Sequence, residues 1–183
     1  MVELQHRRSV RLKGYDYTQA GAYFVTVCAW NHEPLFGEIV GGEMRLNGLG
    51  EVVRACWTAI PDHFTNVELA DCVVMPNHIH GIIVMNTVGL THLLPQRAGP
   101  PPNSLGAIIG SFKSAASKRI AILQCAHGGA VWQRNYYEHV IRDEADYNRI
   151  AEYVEHNPQR WAEDSLHPDA VQREDRQSGK VER

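Results

Sequence analysis

The chain has 183 residues, 44% of them hydrophobic and 21% charged, with a formal net charge of −3 and a pI near 6.3. That balance suits a globular domain with a proper core and argues against both a wholly disordered chain and a strongly basic nucleic-acid coat. No apolar run approaches the length of a membrane span, and the N-terminal MVELQHRRSVRLKG lacks the apolar centre of a secretory signal.

In chain order, AYFVTVCAW (22–30) reads as a strand and GEIVGGEMRLN (37–47) as a short hairpin around Gly41-Gly42. From Asn47 to Phe64, Val52, Val53, Cys56, Trp57 and Ile60 recur at helical spacing, with Asn47 as cap and Pro61 near the end. VELADCVVMP (67–76) is a strand leading into VVMPNHIHGIIVM, and the two predict an antiparallel pair. Residues 87–103, rich in Pro and Gly, predict a long flexible connection. Ser104 opens a second helix with Leu105, Ile108, Ile109, Phe112, Ala116 and Ile120 on one face. AVWQRNYYEHVI (130–141) is irregular or strand-like, and Asp143 starts a third helix that ends before Pro158. This mixed order predicts an α+β two-layer sandwich in one domain over 1–163, followed by a polar tail over 164–183 that is expected to be disordered.

Cys28, Cys56, Cys72 and Cys125 form no CxxC pair and read as buried thiols of a reducing compartment, so a cytoplasmic location is expected. Arg7, Arg8 and Arg11 make a basic stretch, and Lys113 and Lys118 lie on the second helix. These five are the candidates for phosphate contact, although solvated surface charge is the commoner use of such clusters.

His78 and His80 stand two apart within a β-branched run, so both imidazoles emerge on one face with Ile79 on the other. A hydrogen-bonded pair at a sheet surface is the ordinary use of this pattern. The rival is a metal site, which needs ligands from elsewhere in the chain. Tyr153 and Asn157, four apart on the last helix, share a face. Taken singly, they are equally a core-edge tyrosine and a helix-terminal asparagine.

MPNHIHGIIV, VWQRNYYEHVIRDEADYNRIAEYVEHNP and the lysine-bearing helix between them together resemble the HUH-type single-tyrosine transposases, in particular the REP-associated tyrosine transposase branch. The resemblance runs from about residue 10 to about 161. It implies the HUH endonuclease fold, a ferredoxin-like or RRM-like antiparallel sheet with helices on one face. It also implies that Tyr153 is the nucleophile and that a divalent ion, Mg²⁺ or Mn²⁺, is held by His78, His80 and Asn157. The implied substrate is single-stranded DNA with a foldback hairpin, a palindromic repeat, cut and rejoined through a 5′-phosphotyrosine by a monomer or homodimer without membrane involvement. Tyr136 and Tyr137 read as packing or base-stacking groups. Two other functions compete: a non-catalytic nucleic-acid-binding α+β module, and a metal-dependent nuclease that activates water.

Overall fold

The computed structural model describes residues 15–87, 100–125 and 129–170. Arg7, Arg8 and Arg11, most of the Pro/Gly connection and the end of the tail lie outside these residues. Among the described residues six strands and four helices follow in the order β1 (Gly21–Cys28), β2 (Gly37–Val40), β3 (Glu43–Leu46), α1 (Gly48–Thr58), the short α2 (Ile60–His63), β4 (Val67–Met75), β5 (His78–Met85), α3 (Leu105–Leu123), β6 (Tyr137–Ile141) and α4 (Glu144–His156). Single 3-10 turns occupy Trp30–His32 and Pro158–Glu163. None of the described helices is long and apolar enough to cross a membrane.

β4, β5, β1 and β6 form, in that order, one antiparallel sheet. With the β2–β3 hairpin set aside as an insertion, the order is β-α-β-β-α-β, the ferredoxin-like arrangement that the family resemblance implies. α1 and α3 are its two crossover helices and lie on the same side of the sheet. α4 follows the last strand and packs on the opposite side, where Ile150 and Val154 meet Phe24 and Ile82. The expectation of helices on one face therefore holds for the crossovers, and α4 adds a cover to the other face.

Local chemistry explains the boundaries. Asn47 Oδ1 accepts from the amides of Leu49 and Gly50 at 2.9 and 3.0 Å. Ser104 Oγ accepts from Ala107 at 3.3 Å and Asp143 Oδ1 from Asp146 at 2.8 Å, so each of the three long helices starts at the side-chain cap read from the sequence. Gly41 and Gly42, at φ 62° and 82°, make the hairpin turn that side chains rarely tolerate. The main core fills the crossover side: Tyr23, Val25 and Val27 of β1 and Ile79 and Ile83 of β5 pack with Val53, Trp57, Ile108, Ile109 and Phe112. Gly81 belongs to this face because a Cβ there would lie 2.3 Å from Trp57 Cζ2. All four cysteines are free thiols, but only Cys56 is buried; Cys72 and Cys125 are exposed and Cys28 is intermediate. Cys72 falls at the register shift of β4, an edge strand, and Cys125 lies beyond the end of α3, so neither faces the core.

Candidate metal and tyrosine site

β5 begins at the histidine pair, and the turn before it holds the first of the two rings. Asn77 is fully buried, and its Nδ2 donates to the carbonyls of His32 at 3.0 Å and Leu166 at 2.8 Å. Its Oδ1 is thereby turned towards His78 Nδ1 at 2.8 Å, which must donate to it. Burial drives the His78 ring towards its neutral form, with a pKa pushed down to about 4 against the opposing pull of the Asp164 carboxylate. A neutral ring that donates from Nδ1 carries its lone pair on Nε2.

His80 is arranged alike. Its Nδ1 lies 2.8 Å from Thr26 Oγ1 on β1, and burial, then the neighbouring His78, hold its pKa well below the usual value. The two Nε2 atoms converge at 3.0 Å. Two ring nitrogens this close face one common point, as two ligands of a single ion would. Without an ion, the contact holds together when His80 donates its Nε2–H to His78 and Thr26 donates to His80 Nδ1. A hydroxyl can donate or accept, so Thr26 supports either tautomer of His80.

α4 and the turn after it close the site from above. Tyr153 is 41% exposed, and its hydroxyl lies 3.2 Å from His80 Nε2. The phenol's pKa is raised by burial and then by the charge of Asp164, while contact with Asn157 works the other way. Asn157 is 2% exposed and its Nδ2 donates to Asp164 Oδ2 at 3.2 Å, which leaves its own Oδ1 buried without a partner. Asp164 Oδ2 stands 3.9 Å from His78 Nε2, and its side chain is only 4% exposed. Its Oδ1 accepts from the Leu166 amide at 2.7 Å, so Asp164 and Leu166 tie this segment to both α4 and the β4–β5 turn. Trp161 and His167 stack over the edge, with Trp161 6.0 Å from the His78 ring.

Of the residues marked in the sequence, His78, His80, Tyr153 and Asn157 thus come together in space. One donor atom each from His78, His80 and Asp164 falls within 4.8 Å of the others. Asp164 lies in the segment expected from the sequence to be a polar tail, and the apolar and aromatic Trp161, Leu166 and His167 around it are the signal in the sequence that this segment docks. Convergent imidazole lone pairs, a buried carboxylate and an orphaned amide oxygen fit a hard divalent cation such as Mg²⁺ or Mn²⁺. His156 stays out of this set, its Nδ1 accompanying the Glu152 carbonyl on the exposed side of α4. Lys118 is exposed. Lys113 has a structural use: Nζ donates to the carbonyls of Gln133 and Asn135 at 2.7 and 2.8 Å, and burial draws its pKa down to about 8.

The fold is similar to that of the REP-associated tyrosine transposase solved bound to a REP hairpin, with a TM-score of 0.55 at 19% identity, over 79% of this chain and 70% of that one. At the level of sequence, the chain belongs to one family with an uncharacterized protein of Haemophilus influenzae, to which it is 42% identical over 180 residues, covering 91% of this chain and 96% of the other. No family model matches the sequence.

Proposed function

We propose that the protein is a metal-dependent tyrosine transposase that nicks and joins single-stranded DNA. The observation that carries the reading is the Tyr153 hydroxyl, 3.2 Å from a histidine nitrogen that itself meets a second at 3.0 Å, beside the buried Asp164 and Asn157. A simple binding module has no use for a half-exposed phenol fixed against such a pair. The hairpin carried by the fold's solved relative is the reason to propose a foldback hairpin as substrate here too.

In the proposed step the Tyr153 phenol oxygen attacks phosphorus and forms the tyrosyl–phosphate bond. The bond from phosphorus to the 3′-oxygen breaks, the phenolic proton passes to water, and the 3′-oxygen leaves as a hydroxyl after taking a proton from water. One phosphodiester replaces another, so the linkage is available for rejoining without ATP. The Tyr153 proton is not easily lost at neutral pH, because burial and Asp164 both hold the phenol's pKa up. His78, His80 and Asp164, with Asn157 beside them, would hold a divalent ion, which would supply Lewis-acid stabilisation of the phosphate charge and offset the charge of Asp164. Asn77 and Thr26 orient the two imidazoles, and α4 keeps the phenol over them.

The experiment is denaturing electrophoresis after incubation with hairpin-bearing single-stranded DNA and Mn²⁺ or Mg²⁺. The wild type is expected to give a covalent 5′-phosphotyrosyl adduct that maps to Tyr153, and Tyr153→Phe none, with its fold unchanged. Cleavage without an adduct would identify a nuclease that activates water, and an adduct on Tyr136 or Tyr137 would move the nucleophile.

A further inference from the structure

The sheet has a second feature of interest at its β6 edge, on the side away from the histidines. A cleft of about 150 Å³ opens between α3 and the segment that enters β6, lined by Gly106, Gly110, Lys113, Arg134, Asn135 and Tyr136. Among the described residues no carboxylate lines it, although the whole chain carries a formal net charge of −3. The Lys113 ammonium has three donors, two of which hold the Gln133 and Asn135 carbonyls, and the third is left for another acceptor. Arg134 is exposed and adds a second cation. The floor is backbone: Gly106 and Gly110 lie one turn apart on α3, and a Cβ added at Gly110 would meet nothing within 4 Å.

Gly110 differs in this from a glycine that packing requires. Gly81 is small because Trp57 occupies the space a side chain would need. Gly110 sits inside a 19-residue helix with no such neighbour, and a glycine there weakens the helix relative to alanine. Among the described residues nothing in the packing requires it, and its effect is to keep the floor of a cationic cleft free of side chains. The cleft also adjoins the other face. Tyr137, next in sequence to Tyr136, is 49% exposed on the histidine side and meets Phe24 edge-on at 6.3 Å. Phe24 in turn meets Tyr153 at 6.1 Å. Arg134 and Tyr137 are three positions apart, so their Cα atoms are at most about 11 Å apart.

We infer that this cleft binds a backbone phosphate of the DNA strand outside the reacting linkage, with Lys113 and Arg134 as its cationic walls, the Gly110 backbone as its floor and Tyr137 receiving a base on the way to Tyr153. The inference rests on the DNA-joining reading above, and its partner is the single strand of that same substrate. Cations supply the affinity and the aromatic ring supplies a stacking surface, the combination by which proteins follow a single strand without reading its sequence.

The test measures binding of a single-stranded hairpin oligonucleotide over a range of salt concentrations, for the wild type, Arg134→Ala, Gly110→Leu and Gly110→Ala. Gly110→Leu fills the cleft, and Gly110→Ala adds only a methyl in open space and so guards against misfolding. Arg134→Ala should weaken binding several-fold and lower the salt slope by about 0.7, the value of one phosphate on a single strand. Gly110→Leu should match that loss of affinity while melting no lower than the wild type, and Gly110→Ala should fall between. Binding and slope unchanged in Arg134→Ala and Gly110→Leu, with the wild type still forming its tyrosyl adduct, overturn the cleft alone. A wild type that binds no oligonucleotide and forms no adduct overturns the cleft together with the reading it rests on.

Discussion

On the side covered by α1 and α3, β1 and β5 present Tyr23, Val25, Val27, Ile79 and Ile83, all fully buried against Trp57, Ile108 and Phe112. On the side under α4 the same two strands present Phe24, Thr26, His78, His80 and Ile82, and only Phe24 and Ile82 join an apolar cluster, with Ile150 and Val154. The first face is a continuous dry core. The second buries two imidazoles, a hydroxyl and an amide, groups whose removal from water is unfavourable unless each finds a partner. A strand that alternates its side chains allows both in eight residues. The stability of one face lets the other hold polar groups whose burial by itself contributes little to folding.

Adjacent residues test this division most sharply. His80→Ala should abolish the tyrosyl adduct, the largest effect expected, and much of the DNA affinity should survive because phosphate contacts dominate it. Ile79→Ala, one position away and facing the core, should lower stability by about 2–5 kcal/mol through transfer and cavity effects. Once folded, it should still form the adduct. Urea unfolding and adduct yield, measured on both variants, decide the matter. A larger stability loss for His80→Ala than for Ile79→Ala would break the comparison.

Acid titration probes the polar face in its metal-free form. The unfolded chain takes a proton on each histidine near pH 6.5, whereas folded His78 resists until about pH 4 and His80 also lies well below its usual value. Between those limits the unfolded state binds more protons, so stability must fall as pH drops from about 6.5 towards 4. Each unit of depression corresponds to about 1.4 kcal/mol. Chelator-treated protein should show this loss in thermal melts, and His78→Ala should flatten the profile. A wild-type melting temperature constant over that range would mean that the pair is not buried as described.

The sequence made the strands, the three capped helices and the shared face of His78 and His80 legible because those signals are local: alternation, helical spacing, a polar cap. Tyr153 and Asn157 could be placed on one helix face by the same means, and their use came from resemblance. Asp164 was missed for a physical reason. It lies in a polar segment without periodicity, and what buries it is tertiary: Leu166 bonded to Asn77 across 89 positions, and Trp161 against His78. In sequence Asn77 follows Pro76 as an ordinary turn residue before the strand, and only the two carbonyls it binds reveal that it sets the His78 tautomer. Asp164→Asn keeps the shape and removes the charge. Titration with Mn²⁺ should show affinity reduced by more than tenfold, since a carboxylate with a donor atom among the two imidazoles has a more direct effect than an outer partner. An unchanged affinity would leave the ion to the histidines and Asn157.

Thr26→Val is the smallest change and asks whether one hydroxyl prepares the site. Valine has nearly the same shape, suits a strand and leaves the fold's pairing with β5 and β6 intact. What it removes is the 2.8 Å partner of His80 Nδ1. In the metal-free protein this deletes one buried hydrogen bond, for about 1 kcal/mol of stability. With a cation present the loss is specific, because His80 must then donate from Nδ1 to free its Nε2 lone pair, and valine cannot accept. Orienting partners of this kind contribute about 10- to 100-fold in metal affinity, and the lower end is expected here because His78 retains its own partner in Asn77. Thr26→Ser, which keeps the oxygen, should restore most of that affinity. A valine variant that binds Mn²⁺ as the wild type does, while losing the same stability, would show that Thr26 serves the fold of this face and not the tautomer of His80.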